Sequence, residues 1–250
     1  MDTYDPEAGS TYKADATISL ARLRHMGMVT GDAGRSRFAD DFRAIKRKLL
    51  QRAHAPDPSG RPGNLIVLTS ALPGEGKTFC ALNLAISIAM EMDHSVLLVD
   101  ADVARPAVLR MLGLPAAPGL MDALLQATPP LSDLILRTNI AKLSVLSAGR
   151  SHPRATELLA SEAMGALLRQ LAGADPTRMI VFDSPPLLLT SEAAVLAGQM
   201  GQVLLVVESE ATSRRDVQEA LRRLDHCARI DLICNKASAF ASGSYDGYED

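Results

Sequence analysis

The chain has 250 residues, 47% of them apolar, enough to bury one substantial core without requiring a second full domain. A formal net charge of -3 argues against broad electrostatic attachment to nucleic acid, although local basic clusters remain. The three cysteines, Cys80, Cys227 and Cys234, are widely separated and lack CxxC or Cys/His spacing, so neither a disulfide framework nor a zinc site is indicated and a reducing cytoplasm fits best.

Residues 1–37 are polar, glycine-containing and weakly periodic, and read as a mostly disordered, flexible arm without the charged-then-apolar form of a signal peptide. A helix follows from about Asp40 to Arg52, with Phe42, Ile45 and Leu49 on one face and Arg43, Lys46 and Arg47 beside it. Residues 53–63, dense in proline and glycine, form a linker that closes a unit of residues 38–63.

From Asn64 onward apolar runs alternate with helical patterns. Strands are expected near 65–70, 95–100, 143–147, 179–183, 203–208 and 230–234, with helices between them. This alternation predicts right-handed βαβ crossovers and an α/β fold with a doubly wound, mostly parallel sheet over residues 64–238. No apolar stretch approaches the ~18 residues of a membrane span, because the run from Ala81 to Met92 is interrupted by Asn83, Ser87 and Glu91. Any membrane association is therefore expected to come through a partner.

The first of these strands leads into ALPGEGKT, residues 71–78, which precedes a helical pattern opening at Phe79. A strand, a glycine-rich loop and a helix in that order form the setting of a phosphate-cradling P-loop. Gly74 and Gly76 let backbone N–H groups turn toward phosphate oxygens, Lys77 carries a positive charge to the β- and γ-phosphates, and Thr78 offers a hydroxyl to Mg²⁺. The first glycine of the usual G-x-x-x-x-G-K-[ST] spacing is replaced by Ala71.

Two further apolar runs end in aspartate: 96–99 before Asp100, Ala101 and Asp102, and 179–182 before Asp183. In a parallel sheet buried on both faces, such runs deliver their carboxylates to the crevice at the carboxyl ends of the strands. One aspartate there could simply cap a helix, but three beside a phosphate loop suit an Mg-nucleotide site.

Arg150, His152 and Arg154 form a small basic group ahead of a helix opening near Thr156 and Glu157, compatible with a plain turn or with contact to an acidic peptide. The arginines of the helix near 212–228 read as a solvated face. All four tyrosines, Tyr4, Tyr12, Tyr245 and Tyr248, lie near the two ends of the chain, so core burial does not explain them. Tyr245 and Tyr248 stand in a tail, residues 239–250, of small and acidic residues able to reach an active site.

Together ALPGEGKT, VLLVDAD and MIVFDSPP resemble the bacterial tyrosine kinases, P-loop proteins that phosphorylate tyrosines near their own C-terminus. The resemblance runs from roughly Asp40 to the end, and DADVARP looks most like the branch linked to exosortase-type exopolysaccharide loci. It implies a P-loop NTPase fold with ATP and Mg²⁺ as cofactors. Lys77, Asp100, Asp102 and Asp183 would be catalytic, with Asp100 accepting the tyrosine proton. Gly74, Glu75, Gly76, Lys77, Thr78, Phe79 and Asn235 would contact the nucleotide, and Thr78, Asp102 and Asp183 the metal or its waters.

The resemblance further implies phosphorylation at Tyr245 and Tyr248, and oligomerisation through Asp40, Arg43 and Lys46, where the family has E-x-x-R-x-x-R. The oligomer would be a ring in which one subunit's tail enters the next subunit's site. The activator would be the cytoplasmic segment of an inner-membrane polysaccharide chain-length determinant, here a separate chain, which would recruit a cytoplasmic protein to the membrane. The usual D-x-D-x-R has Ala104 at its arginine position, with Arg105 one residue later. Two other readings share the fold: an ATPase switch of the chromosome-partitioning or septum-placing type, and a non-catalytic assembly factor for polysaccharide export. The switch usually carries an early lysine in the phosphate loop, and none lies between Ala71 and Gly76.

Overall fold

The structure, a computed structural model, describes residues 15–31, 36–125 and 130–237. Tyr245 and Tyr248 lie outside the described residues. In chain order the elements are α1 (Leu20–His25), α2 (Arg37–Ala53), β1 (Leu65–Ser70), α3 (Lys77–Ala89), β2 (Ser95–Asp100), α4 (Val108–Leu112), α5 (Leu120–Leu124), α6 (Leu131–Leu134) and β3 (Leu136–Arg137). They continue with β4 (Leu143–Leu146), α7 (Ala155–Leu159), α8 (Glu162–Ala174), β5 (Arg178–Asp183), α9 (Glu192–Ala197), β6 (Gln202–Glu208), α10 (Arg214–Arg223) and β7 (Ile230–Asn235).

The strands form one sheet in the order β3-β4-β2-β5-β1-β6-β7. Every pairing is parallel except β3 with β4, so the expectation of a doubly wound, mostly parallel sheet holds. The six expected strands are present, and β3 is a two-residue antiparallel edge that a periodicity argument does not reach.

Successive side chains of a strand point to opposite faces, and both faces here are covered. Leu65, Val67, Leu97, Val99, Ile180 and Phe182 join the core beneath α8, α9 and α10, whereas Ile66, Leu68, Val96, Leu98, Met179 and Val181 pack under α2 and α3. This two-sided burial is why the strands are continuous apolar runs. Truncating the fully buried Phe182 to alanine would cost roughly 3–5 kcal/mol.

The helix expected over 40–52 spans Arg37–Ala53, starting earlier because the Ser36 hydroxyl accepts the Ala39 N–H. Its buried stripe is Ala39, Phe42, Lys46 and Leu49. Lys46, expected in the oligomerisation motif, is thus buried within the subunit. Its Nζ donates to the Ser87 carbonyl at 2.8 Å and pairs with Glu91 at 2.6 Å, tying α2 to α3. Asp40 and Arg43 pair with each other at the surface, and Arg47 is exposed beside them.

Residues 15–31 also depart from expectation, because they are packed rather than a loose arm. Ile18, Leu23, Met28 and Val29 are buried, Ala16 bridges Thr138 in parallel, and the Asn139 Oδ1 accepts the Ile18 N–H at 2.7 Å. The Val29 N–H donates to Asn83 Oδ1 on α3 at 2.7 Å, and Arg22 donates to the carbonyls of Arg110 and Met111. Among the described residues no helix is long and apolar enough to cross a membrane.

Candidate nucleotide and phosphoryl-transfer site

The sheet order places β1 between β5 and β6, and β5 between β1 and β2, so the carboxyl ends of β1, β2 and β5 adjoin. Asp183 is the register partner of Leu68 on one side and of Asp100 on the other. The loop after β1 turns on Gly74 and Gly76, at φ +89° and +93°, which an L side chain rarely adopts. A Cβ on Gly76 would also stand 2.1 Å from Asn235 Nδ2. The positions expected to need glycine do require it.

Lys77 and Thr78 open α3 and reach the two aspartates expected beside them. Lys77 Nζ lies 2.8 Å from Asp102 Oδ2 and 3.9 Å from Asp183 Oδ1, and the Thr78 hydroxyl donates to Asp183 Oδ2 at 2.6 Å. Asp183 is fully buried, and its Oδ1 has no hydrogen-bond partner among the described residues. Burial pushes its carboxyl up to about 7, with Lys77 opposing and Asp100 and Asp102 reinforcing the rise. For Lys77 burial alone would lower the ammonium, but attraction to Asp183 and Asp102 outweighs it and the net shift is upward. A buried carboxylate oxygen with an unfilled lone pair, next to a hydroxyl and a cation, fits a site for a divalent ion with phosphate. Among the described residues no three His, Cys, Asp or Glu side chains form a metal site by themselves, so Thr78, Asp102 and Asp183 would hold Mg²⁺ together with nucleotide and water oxygens.

Asp100 stands behind this group. It is 1% exposed, and its carboxylate accepts the N–H groups of Asp102, Ala107 and Val108 at 3.2, 3.0 and 3.0 Å. Burial raises its carboxyl to about 6, the three N–H groups resisting. It thus pins loop 101–107 and the start of α4. Glu75 is likewise committed. Its carboxylate accepts the Leu72 N–H at 2.7 Å and the Thr212 hydroxyl, so its side chain braces the loop. Asn235 donates to the Glu75 carbonyl at 2.9 Å, joining the end of β7 to the phosphate loop.

Two hollows flank the loop, sharing Gly76 and Phe79. One, of about 660 Å³, is walled by the phosphate loop, by the segment after β2 together with α4, and by the prolyl loop after β5, with Lys77, Asp102, Arg105 and Arg110 as its charged members. The other, of about 830 Å³, lies between α2 and β7, among Phe38, Phe42, Ile45, Leu232 and Asn235. Arg105 does reach the first hollow, together with Ala104. Arg110, Met111 and Leu189 also line it and had no signal in the sequence, since a five-residue helix and a prolyl loop carry no diagnostic spacing. Of the basic group, Arg150 is paired with Asp122 at 2.7 Å, and His152 lines a small adjoining recess with Ala104 and Pro185.

No protein-family model matches the chain. Among characterised proteins it is similar to tyrosine-protein kinase YwqD of Bacillus subtilis, with 33% identity over 74% of this chain and 78% of that one. Several other curated relatives are much longer, and the chain spans only 21–22% of their length. Its structure is similar to the kinase domain of the Escherichia coli tyrosine kinase ETK, with 25% identity, 95% and 94% of the two chains covered and a TM-score of 0.70. A ParA family ATPase from Chlorobium tepidum, at 17% identity and a TM-score of 0.53 over 70% and 75% of the two chains, shares the fold alone. With a tyrosine-protein kinase relative at 33% identity over 74% of this chain and a kinase domain of the same fold, the chain belongs to the bacterial tyrosine kinases.

Proposed function

We propose that the chain is an ATP-dependent autokinase that transfers the γ-phosphoryl group to Tyr245 and Tyr248 of its own tail, and that it serves exopolysaccharide synthesis and export. The observation that carries this reading is the joining of Lys77 to Asp102 and of Thr78 to Asp183 at the mouth of an open cleft wide enough for a second substrate. Phosphoryl transfer needs little from a protein beyond positioning and charge stabilisation.

The triphosphate would lie along the N–H groups of residues 74–78, and Lys77 would turn from Asp102 to the β- and γ-oxygens. Mg²⁺, held by Thr78, Asp102 and Asp183, would supply neutralisation of phosphate charge. The tyrosine oxygen attacks the γ-phosphorus, the bond to the ADP oxygen breaks, and the phenol proton passes to Asp100. A carboxyl raised to about 6 suits an acceptor working near neutral pH, and a phenol of pKa ~10 needs one. Release of Asp100 from the Ala107 and Val108 N–H groups is the condition the geometry adds, and it couples proton acceptance to movement of the cleft wall.

Asp40 and Arg43, with Arg47 in place of the buried Lys46, would join subunits into a ring in which tails enter neighbouring sites. Phosphorylation would add about -1.5 to -2 charges per tyrosine and loosen it. The partner would be an inner-membrane chain-length determinant that activates the kinase and recruits it from the cytoplasm. The names of relatives support the polysaccharide setting, one being the succinoglycan biosynthesis transport protein ExoP of Rhizobium meliloti.

The test is incubation of the full chain with Mg-ATP and an activator fragment, followed by mass spectrometry of the C-terminal peptide. Phosphate on Tyr245 or Tyr248 in the wild type and its absence in Lys77→Met is the expected result. Free phosphate without phosphotyrosine would overturn the kinase reading in favour of an ATPase switch, and neither product would leave an assembly factor.

A further inference from the structure

We propose that Arg105 and Arg110 form an acid-reading rim that selects the acceptor by the carboxylates that follow its tyrosine. This rests on the autokinase reading above and names the substrate class of the same cleft. Of the four charged side chains lining the cleft, Lys77 and Asp102 neutralise each other at 2.8 Å. Arg105 and Arg110 are exposed, and neither guanidinium has an ion-pair or hydrogen-bond partner among the described residues.

Their neighbours in the cleft are apolar: Met111, Pro185, Pro186 and Leu189, the last 59% exposed. A triphosphate is served by the backbone of residues 74–78 and by Lys77, and gains nothing from an exposed leucine or a methionine. An aromatic side chain followed by carboxylates uses both kinds of group. The chain carries that chemistry itself, in Tyr245-Asp246 and Tyr248-Glu249-Asp250. An extended peptide advances roughly 3.4 Å per residue, so each phenol brings a carboxylate within ~7 Å of its own Cα. Guanidinium groups pair with carboxylates in a planar, bidentate geometry that specifies both position and charge.

The rim is also held in place. Arg22 donates through Nε to the Met111 carbonyl at 3.0 Å and through Nη2 to the Arg110 carbonyl at 3.1 Å, satisfying the last turn of α4, while Asp100 accepts the N–H groups at its start. The segment of residues 15–31 therefore anchors the backbone from which Arg110 projects.

The test uses the full chain with Tyr245→Phe and Tyr248→Phe, so that its own tail does not accept phosphate. The probes are a synthetic peptide of residues 238–250 and a neutral version carrying Asp246→Asn, Glu249→Gln and Asp250→Asn. Binding of each labelled peptide is read by fluorescence anisotropy with a non-hydrolysable ATP analogue and Mg²⁺ present, and phosphotransfer is followed in parallel. Combining Arg105→Gln with Arg110→Gln should weaken the acidic peptide about 10-fold and the neutral one less than about 2-fold, leaving the KM for ATP unchanged.

Equal weakening of both peptides, or a rise confined to the ATP KM, would overturn the proposal and assign the arginines to the triphosphate. Absence of phosphotyrosine from either peptide would overturn the kinase reading instead, while the anisotropy still decides the rim.

Discussion

The hollows on the two sides of the phosphate loop share Gly76 and Phe79 but differ in chemistry. The one between α2 and β7 is lined by phenylalanine, isoleucine and leucine together with Asp41, Lys236, two cysteines and the amide of Asn235. The other holds two cations with no partner among the described residues and a third paired to Asp102. A nucleotide laid across the loop would put its base in the hollow beside α2 and its γ-phosphoryl in the one beside Lys77 and Asp102. The difference follows from the sheet: β7 ends beside the hollow at α2, and the turn after β2 brings Asp102 to the other.

Substitutions on the charged side should abolish transfer with little effect on base recognition. Asp183→Asn should lower the rate of phosphotyrosine formation about 10³-fold, since charge stabilisation is most of the catalysis. ADP binding without Mg²⁺ should change by less than about 3-fold, measured by calorimetry. A large loss of that binding would mean the two sides are not separable. Gly76→Ala strikes their common wall. With φ at +93° and Asn235 Nδ2 2.1 Å from the new Cβ, strain of roughly 1–3 kcal/mol is expected, with a lower Tm and ATP affinity reduced at least about 10-fold.

The side beside α2 should respond more gently. Asn235→Ala removes one hydrogen bond, that to the Glu75 carbonyl at 2.9 Å, worth roughly 0.5–1.5 kcal/mol. The KM for ATP should rise about 5-fold, and the KM for the acceptor peptide should stay put. If the peptide KM moves as well, Asn235 also shapes the acceptor cleft.

The charged side was the more legible in the sequence, and the reason is geometric. A strand buried on both faces is written as an unbroken apolar run, so its carboxyl end can be read to the residue, and Asp102 and Asp183 were found that way. What escaped depended on tertiary contact. Lys46 counted as a polar flank of α2, yet its long aliphatic stem lies in the core while its ammonium reaches Ser87 and Glu91, a placement periodicity cannot foresee. Residues 15–31 have buried apolar positions at 18, 23, 28 and 29, which fit neither a helix nor a strand repeat, and Asn139 and Asn83 hold the backbone at Ile18 and Val29. Asp100 and Asp102 look alike in DAD, and only the fold shows that one is held by three backbone N–H groups while the other faces the cleft.

The smallest expected effect is one of pH on the nucleotide-free protein, and it separates the same two sides. Asp183 and Asp100 titrate at about 7 and about 6 when folded, against 3.8 when unfolded. Between about pH 4 and pH 7 the folded chain binds the more protons, so these two groups make stability fall as pH rises through that window. Lys77 and Asp102 face Asp183 together with Asp100, and the upward shift of Lys77 keeps its attraction intact throughout. Asp122 and Asp175, whose carboxyls are lowered, act oppositely but only below about pH 4. Thermal unfolding should therefore give a lower Tm at pH 7.5 than at pH 5.0, and Asp183→Asn should flatten that slope while Asn235→Ala leaves it unchanged. A slope that survives Asp183→Asn undiminished would show that the buried carboxylates are not its source.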